Sequence, residues 1–181
     1  LIALAKARPG SLNYGSAGTG GSLHLAMEMF NSMAGTSIVH VPYKGLGPAL
    51  TGLVAGEVQL LSSTAAGYAP FAKSGKLKAL AVTSAKPSAL FPGLPTIAAT
   101  VPGYELVQYT GLFAVGKPPR NVVNRLNQEM VRALSNADTK EKFLNAGVET
   151  VGNTPDEFAA VVTSEITRIS KVIKDAGIKV E

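Results

Sequence analysis

The sequence has no cysteine, no tryptophan and only two histidines, and 16% of its 181 residues carry a charge. Without cysteine there is no disulfide framework, no thiolate nucleophile and no cysteine-based metal site. Two histidines with no carboxylate clustered beside them in sequence argue against a metal site. No run of about 18 apolar residues occurs, so no membrane-spanning helix is expected. Acidic residues are scarce in one part: residues 1–104 hold only Glu28 and Glu57 against seven bases, whereas residues 105–181 hold ten acids and ten bases. The net charge of +5 therefore belongs to the first part. Such an environment suits a small anionic ligand, although the same lysines would serve solubility alone. There is no arginine cluster and no interleaving of bases with aromatics, which argues against a nucleic-acid surface.

What is present is a folding composition: 46% hydrophobic residues, with 19 Gly and 11 Pro. The length fits one domain or parts of two. The opening LIALAKARPG reads as the last turns of a helix stopped by Pro9-Gly10. It carries no signal-peptide pattern. The chain is therefore expected to be a fragment, with any export signal upstream.

Short β-like runs then alternate with helical ones. Strands are expected over 11–15, 37–43, 57–63, 77–84 and 105–116. Helices are expected over 22–33 and 47–56, with a short broken one over 65–75 because Gly67 and Pro70 interrupt it. This order implies an α/β fold with a mostly parallel sheet flanked by helices. The last third is helical. Val122, Leu126, Met130 and Leu134 recur every four residues after Pro118-Pro119. A short helix over 138–147 has Asp138 as its expected N-cap. Thr154-Pro155-Asp156-Glu157 forms a capping box before a long helix carrying Phe158, Val162, Ile166 and Ile169.

The most informative segment is NYGSAGTGGS, residues 13–22, between an expected strand and an expected helix. Ligands of open α/β sheets bind beyond the carboxyl ends of strands, where a helix N-terminus offers unpaired N–H groups and a positive dipole end. Glycines let the backbone approach a ligand closely. Ser16, Gly18, Thr19, Gly20, Gly21 and Ser22 thus form a candidate carboxylate or phosphate site; the alternative is a purely structural turn. Phosphate motifs fit poorly. Gly15 and Gly20 have P-loop spacing and Ser22 fits, but Gly21 stands where Lys is required. The dinucleotide fingerprint fails at Leu23. A nucleophile elbow around Ser16 lacks its first glycine, which is Tyr14. His24 reads as packing against or bonding to nearby backbone, and His40, alternating with Val39 and Val41, as structural. Tyr43-Lys44-Gly45 and Ser62-Ser63-Thr64 follow strands and are expected to reach the same crevice.

Taken together, NYGSAGTGGSLHLAMEMFNSMAG, VHVPYKGLGPALTGLVAGEV, GKLKALAVTS, VPGYE, GLFAVGKPP and TPDEFAAVVTSEITRISKVIKDAGIK resemble the solute-binding proteins of the tripartite tricarboxylate transporter system, the Bug-type receptors. The resemblance covers essentially the whole chain. It implies a periplasmic-binding-protein-like fold (type II) of two lobes around a ligand cleft. It further implies a non-enzymatic periplasmic receptor that passes small carboxylates to two membrane permease subunits, with no cofactor. On this reading residues 1–104 are nearly the whole second lobe. Residues 105–181, a return strand and helices, belong mainly to an incomplete first lobe and the hinge. The family's carboxylate contacts fall on Ser16, Gly18, Thr19, Gly20, Gly21 and Ser22. Many relatives carry Asp-Asn where this chain has Ser63-Thr64. With Ser63 as the ligand contact there, a ligand without an amine is favoured. Relatives often have Trp where this chain has Tyr109-Thr110. The chain alone is expected to bind ligand weakly and to expose an apolar patch. Two other readings remain open at this level: a hydrolase-like enzyme using the Gly-rich turn as an oxyanion hole, and a one-lobe regulatory ligand-binding module.

Overall fold

A computed structural model describes residues 1–72 and 74–178. Lys73, inside the expected helix over 65–75, and residues 179–181, at the end of the terminal segment, lie outside the described residues. The chain divides into two compact units. One is Leu1–Val107 together with the chain from Ile169 on; the other is Gln108–Arg168.

The first unit runs α1 (Ile2–Ala7), β1 (Asn13–Ser16), α2 (Ser22–Ala34), β2 (Val39–Pro42), α3 (Leu46–Ala55), β3 (Leu60–Leu61) and α4 (Ala65–Ala72). The three strands form a parallel sheet in the order β2-β1-β3. Parallel strands need crossover connections, and the helices between them supply these. The central β1 is buried along Tyr14, Gly15 and Ser16. It faces the apolar side of α2, where Leu25, Ala26, Met29 and Phe30 meet Ile38, Val101, Tyr104 and Leu106 in one core. Full burial of each large side chain contributes roughly 1.5–3 kcal/mol. The Tyr104 hydroxyl donates to the Ala26 carbonyl at 3.0 Å, so the core satisfies its own polar tip. Ile169, Val172 and Ile173 pack against the same core, which draws the chain from Ile169 on into this unit.

The turn from α2 to β2 is locked by its own residues. Gly35 closes α2 in the left-handed region, at φ 62°. Asn31 then donates to the Ile38 carbonyl at 2.9 Å and accepts from the Thr36 hydroxyl and the Ile38 N–H. These bonds fix where β2 starts and so its register on β1.

Several elements differ from expectation. Residues 77–84 form no strand; the segment contributes one parallel bridge, Val82 to Thr96. Residues 105–116 also form no strand. Both have strand composition, but an extended segment becomes a strand only where a neighbour takes its N–H and C=O groups. The helix over 65–75 is not broken: α4 runs through Gly67 and Pro70. Gly67 is there for close packing, since a Cβ would lie 2.7 Å from Ser63 Oγ and 2.8 Å from Leu46 Cδ2.

The second unit holds α5 (Arg120–Ser135), α6 (Ala137–Asn145) and most of α7 (Pro155–Asp175). The N-cap of α6 is Asn136, not Asp138: the Asn136 side chain accepts from Thr139 N–H at 3.2 Å, which places Asp138 inside the first turn. The capping box forms as expected, with Thr154 N–H donating to Glu157 at 2.8 Å and Glu157 N–H donating back at 3.2 Å. No residue of these three helices is fully buried. Leu126 and Ile166 are exposed, as are Leu112, Phe113 and Val115, the last completely.

Candidate functional site

The strand order places the site. β1 connects through α2 to β2 on one side, and the chain then crosses to β3 on the other. The strand order reverses between β1 and β3, and in open α/β sheets ligands bind outside the carboxyl ends of the strands at such a reversal. Gly15 pairs with Leu61, so the turn after β1 and Ser62-Ser63-Thr64 leave the sheet side by side. Ser16 pairs with Pro42 on the other flank. The loop after β2 is tied to the turn by Tyr43 N–H to the Ser16 carbonyl at 3.0 Å and Gly45 N–H to the Ala17 carbonyl at 3.1 Å. The three loops expected to converge do so, with the Gly-rich turn in the middle.

Glycine is required in the turn for conformation. Gly18 and Gly20 have φ of 143° and 78°, values that side-chain-bearing residues rarely adopt. Gly21, at φ −72°, is the N-cap of α2 and offers no side-chain cap to the helix. The first N–H groups of α2 have no partner within their own helix. Ala17, Thr19 and Gly21 are exposed, and Gly18, Gly20 and Ser22 half-buried. Ser63 is half-buried, and its hydroxyl donates to the Thr64 carbonyl at 3.1 Å. Thr64 caps α4 by accepting from Gly67 N–H at 3.2 Å. Lys44 is exposed on the neighbouring loop.

Ser16 differs from its neighbours. Its side chain faces inward and the residue is 0% exposed. Its Oγ lies 2.6 Å from His40 Nε2, donates to the Gly18 carbonyl at 3.1 Å, and accepts from Gly18 N–H at 3.2 Å. The one hydroxyl proton can serve only one acceptor, so all three contacts hold together only if His40 donates through Nε2–H. His24 Nδ1 accepts from Gly20 N–H at 3.0 Å. The rings of His24 and His40 stack with centroids 3.9 Å apart, and Tyr14 stacks on His40 at 5.0 Å. The Tyr14 hydroxyl donates to Glu28. Burial, then the bond and charge of Glu28, push the Tyr14 phenol above its usual range. Burial holds His24 below its ordinary value, against the pull of Glu28. Burial, then the neighbouring His24, lowers His40 to about 4. Both imidazoles are neutral at pH 7.

The sequence does not reveal this layer behind the turn. His40 is 24 residues from Ser16, and only the parallel register brings them together. The Ser16–His40 distance is that of a nucleophile and its base, but a fully buried hydroxyl meets no substrate carbonyl. Glu28, the nearby acid, bonds Tyr14 rather than a histidine. Among the described residues no helix is long and apolar enough to cross a membrane.

Comparison with known proteins agrees with this architecture. The model of the tripartite tricarboxylate transporter family receptor matches residues 1–178. The UPF0065 protein of the tcbD-tcbE intergenic region of Pseudomonas sp. strain P51 is 37% identical over 96% of this chain and 52% of its own length. Protein BugT of Bordetella pertussis is 34% identical over 100% of this chain and 56% of its own length. The chain thus spans about half the length of these relatives. Among solved structures, Rpa4515 of R. palustris with adipate superposes with a TM-score of 0.84 at 37% identity, over 98% of this chain and 60% of that one. MatC of Rhodopseudomonas palustris with bound malate superposes at 0.72 and 27% identity, over 95% and 60%. The periplasmic binding protein BugD gives 0.78 at 28% identity, over 98% and 60%. The fold is therefore that of periplasmic binding proteins, and these proteins are solute-binding proteins rather than enzymes. On the family match across residues 1–178, the chain belongs to the tripartite tricarboxylate transporter receptor family.

Proposed function

We propose that the chain is the carboxylate-gripping part of a periplasmic receptor that captures a small organic acid and presents it to the membrane permease subunits of a tripartite tricarboxylate transporter. The observation that carries this reading is the Gly-rich turn at the crevice between β1 and β3, with the uncapped N-terminus of α2 beside it. In this reading one ligand carboxylate rests on N–H groups of Thr19, Gly21 and Ser22, aided by the hydroxyls of Thr19 and Ser22 and by that of Ser63 once it turns from the Thr64 carbonyl. Each charge-assisted hydrogen bond contributes about 1.5–3 kcal/mol. Gly18 N–H is already committed to Ser16 and Gly20 N–H to His24, so these two glycines shape the turn rather than touching the ligand. Ser16 acts in the same way, from behind. The adipate and malate bound by the similar structures support the ligand class.

Ser63 and Thr64 bring no negative charge to the crevice, which favours an acid without an amine. Residues 1–104 then serve as one lobe, and residues 105–181 contribute mainly to the other lobe and the hinge. Closure of the two lobes over the ligand completes the grip. Equilibrium binding of adipate, malate, citrate and glutamate to the chain tests the reading. The expected result is weak binding of adipate, malate or citrate, no preference for glutamate, and loss of binding in Gly20→Ala. A preference for glutamate removes the amine argument. Micromolar binding by this chain alone removes the two-lobed cleft. No binding of any acid at millimolar concentration removes the carboxylate assignment.

A further inference from the structure

We propose that His24 and His40 are positioning residues for the Gly-rich turn, and that His24 holds it in its anion-accepting form only while its Nδ1 is unprotonated. The effect on ligand grip rests on the carboxylate reading above; the effect on the turn does not. Two backbone groups of the turn are held from behind by this stacked pair. Gly20 N–H is bound to His24 Nδ1 at 3.0 Å. Gly18 N–H is bound to Ser16 Oγ at 3.2 Å, and Ser16 is braced by His40 at 2.6 Å. These bonds span the two glycines whose positive φ values define the turn.

The two histidines differ in what a proton does to them. His24 already uses Nδ1 as an acceptor, so its neutral ring carries the proton on Nε2. A second proton must go to Nδ1, where it faces Gly20 N–H and turns an attraction into a donor–donor contact. His40 donates through Nε2–H, so its second proton also goes to Nδ1 and leaves the Ser16 bond intact. Protonation of His24 alone therefore releases the turn. The titratable groups facing His24 are Glu28 on its own helix, Tyr14 from β1 and His40 from β2. Glu28 favours the charged ring. Burial opposes it, and burial wins: His24 titrates below its usual value.

The test follows the Gly18 and Gly20 amide resonances and both imidazoles by NMR as pH is lowered, without ligand. The Gly20 amide should move with the His24 midpoint, while the Gly18 amide should not follow His40. In His24→Asn, whose side-chain carbonyl stands near the Nδ1 position, the Gly20 amide should stay bonded at every pH. In His24→Leu it should lose protection against hydrogen exchange by about five- to tenfold, the loss of one hydrogen bond. Adipate affinity should fall by a similar factor in His24→Leu and be restored in His24→Asn. A Gly20 amide indifferent to His24 titration overturns the proposal, and this readout holds even if His24→Leu does not fold. Equal adipate binding by wild type and a folded His24→Leu also overturns it. If adipate fails to bind wild type while the amide tracks His24, the positioning role stands and the carboxylate reading falls.

Discussion

Acid should weaken the first unit through His40, and the size of the effect follows from its surroundings. Folded, His40 titrates at about 4 because its half-buried ring is desolvated and stacked on a second imidazole. Unfolded, it titrates near 6.5. The native state thus refuses a proton that the unfolded chain accepts. Its contribution is intact above about pH 6.5, is lost progressively as pH falls toward 4, and is constant below that. A difference of about 2.5 units corresponds to a loss on the order of 3 kcal/mol, a large share of the 5–15 kcal/mol typical of a domain. His24 is shifted in the same direction and adds to the effect. The assay is urea unfolding followed by far-UV circular dichroism between pH 7.5 and 4, for wild type and for His40→Gln. Glutamine offers Ser16 an N–H in the Nε2 position and does not titrate. The stability difference between the two proteins should shift by about 3 kcal/mol in favour of the variant across this range. Carboxylates titrate in both proteins and largely cancel. Parallel pH profiles would show that His40 is either protonated in the native state or free of the turn, and the account of the buried pair would be wrong.

Other substitutions test single contacts. Tyr14→Phe leaves the Glu28 carboxylate without its hydroxyl donor and should cost about 1–3 kcal/mol in urea unfolding at pH 7. Asn31→Ala removes three bonds that set the start of β2; a loss of roughly 2–4 kcal/mol is expected, with faster amide exchange at Ile38. Gly20→Ala forces a side chain onto φ 78° and should cost about 1–2 kcal/mol. Gly21→Ala has an ordinary φ and a Cβ 3.6 Å from the Gly18 carbonyl oxygen, so its stability should stay within about 1 kcal/mol of wild type while adipate binding weakens. Glu157 is held below the usual carboxylate range by its bonds to Thr154. Its cap is therefore present at neutral pH and lost as pH falls through its lowered folded value, which amide exchange in the first turn of α7 would report.

Much of the first unit was legible because its signals are local. Gly35 and Gly56 stop helices where the sequence has them stop, and strand-like runs alternate with amphipathic ones at short spacing. The Gly-rich turn was legible as a glycine-dependent strand-to-helix turn because Gly15, Gly18, Gly20 and Gly21 fall between a strand-like and a helix-like run. What sequence could not supply was partnership across distance. Residues 105–116 have the composition of a strand, yet Leu112, Phe113 and Val115 stand in solvent, since composition does not say whether a neighbouring strand is at hand. The roles of His24, His40 and Ser16 were hidden for the same reason. Their meaning comes from parallel register and stacking, not from spacing along the chain. At α6 two good N-cap residues stand two apart, and local pattern does not choose between Asn136 and Asp138.

The most direct test of the central claim is an NMR titration of the chain with adipate, following backbone amides across the whole sequence. The account predicts saturable shifts centred on Thr19, Gly21 and Ser22, with smaller ones at Gly18, Gly20, Ser63 and Thr64, and none of comparable size elsewhere. Saturable shifts centred away from the carboxyl ends of β1 and β3, with the Gly-rich turn unmoved, would contradict it.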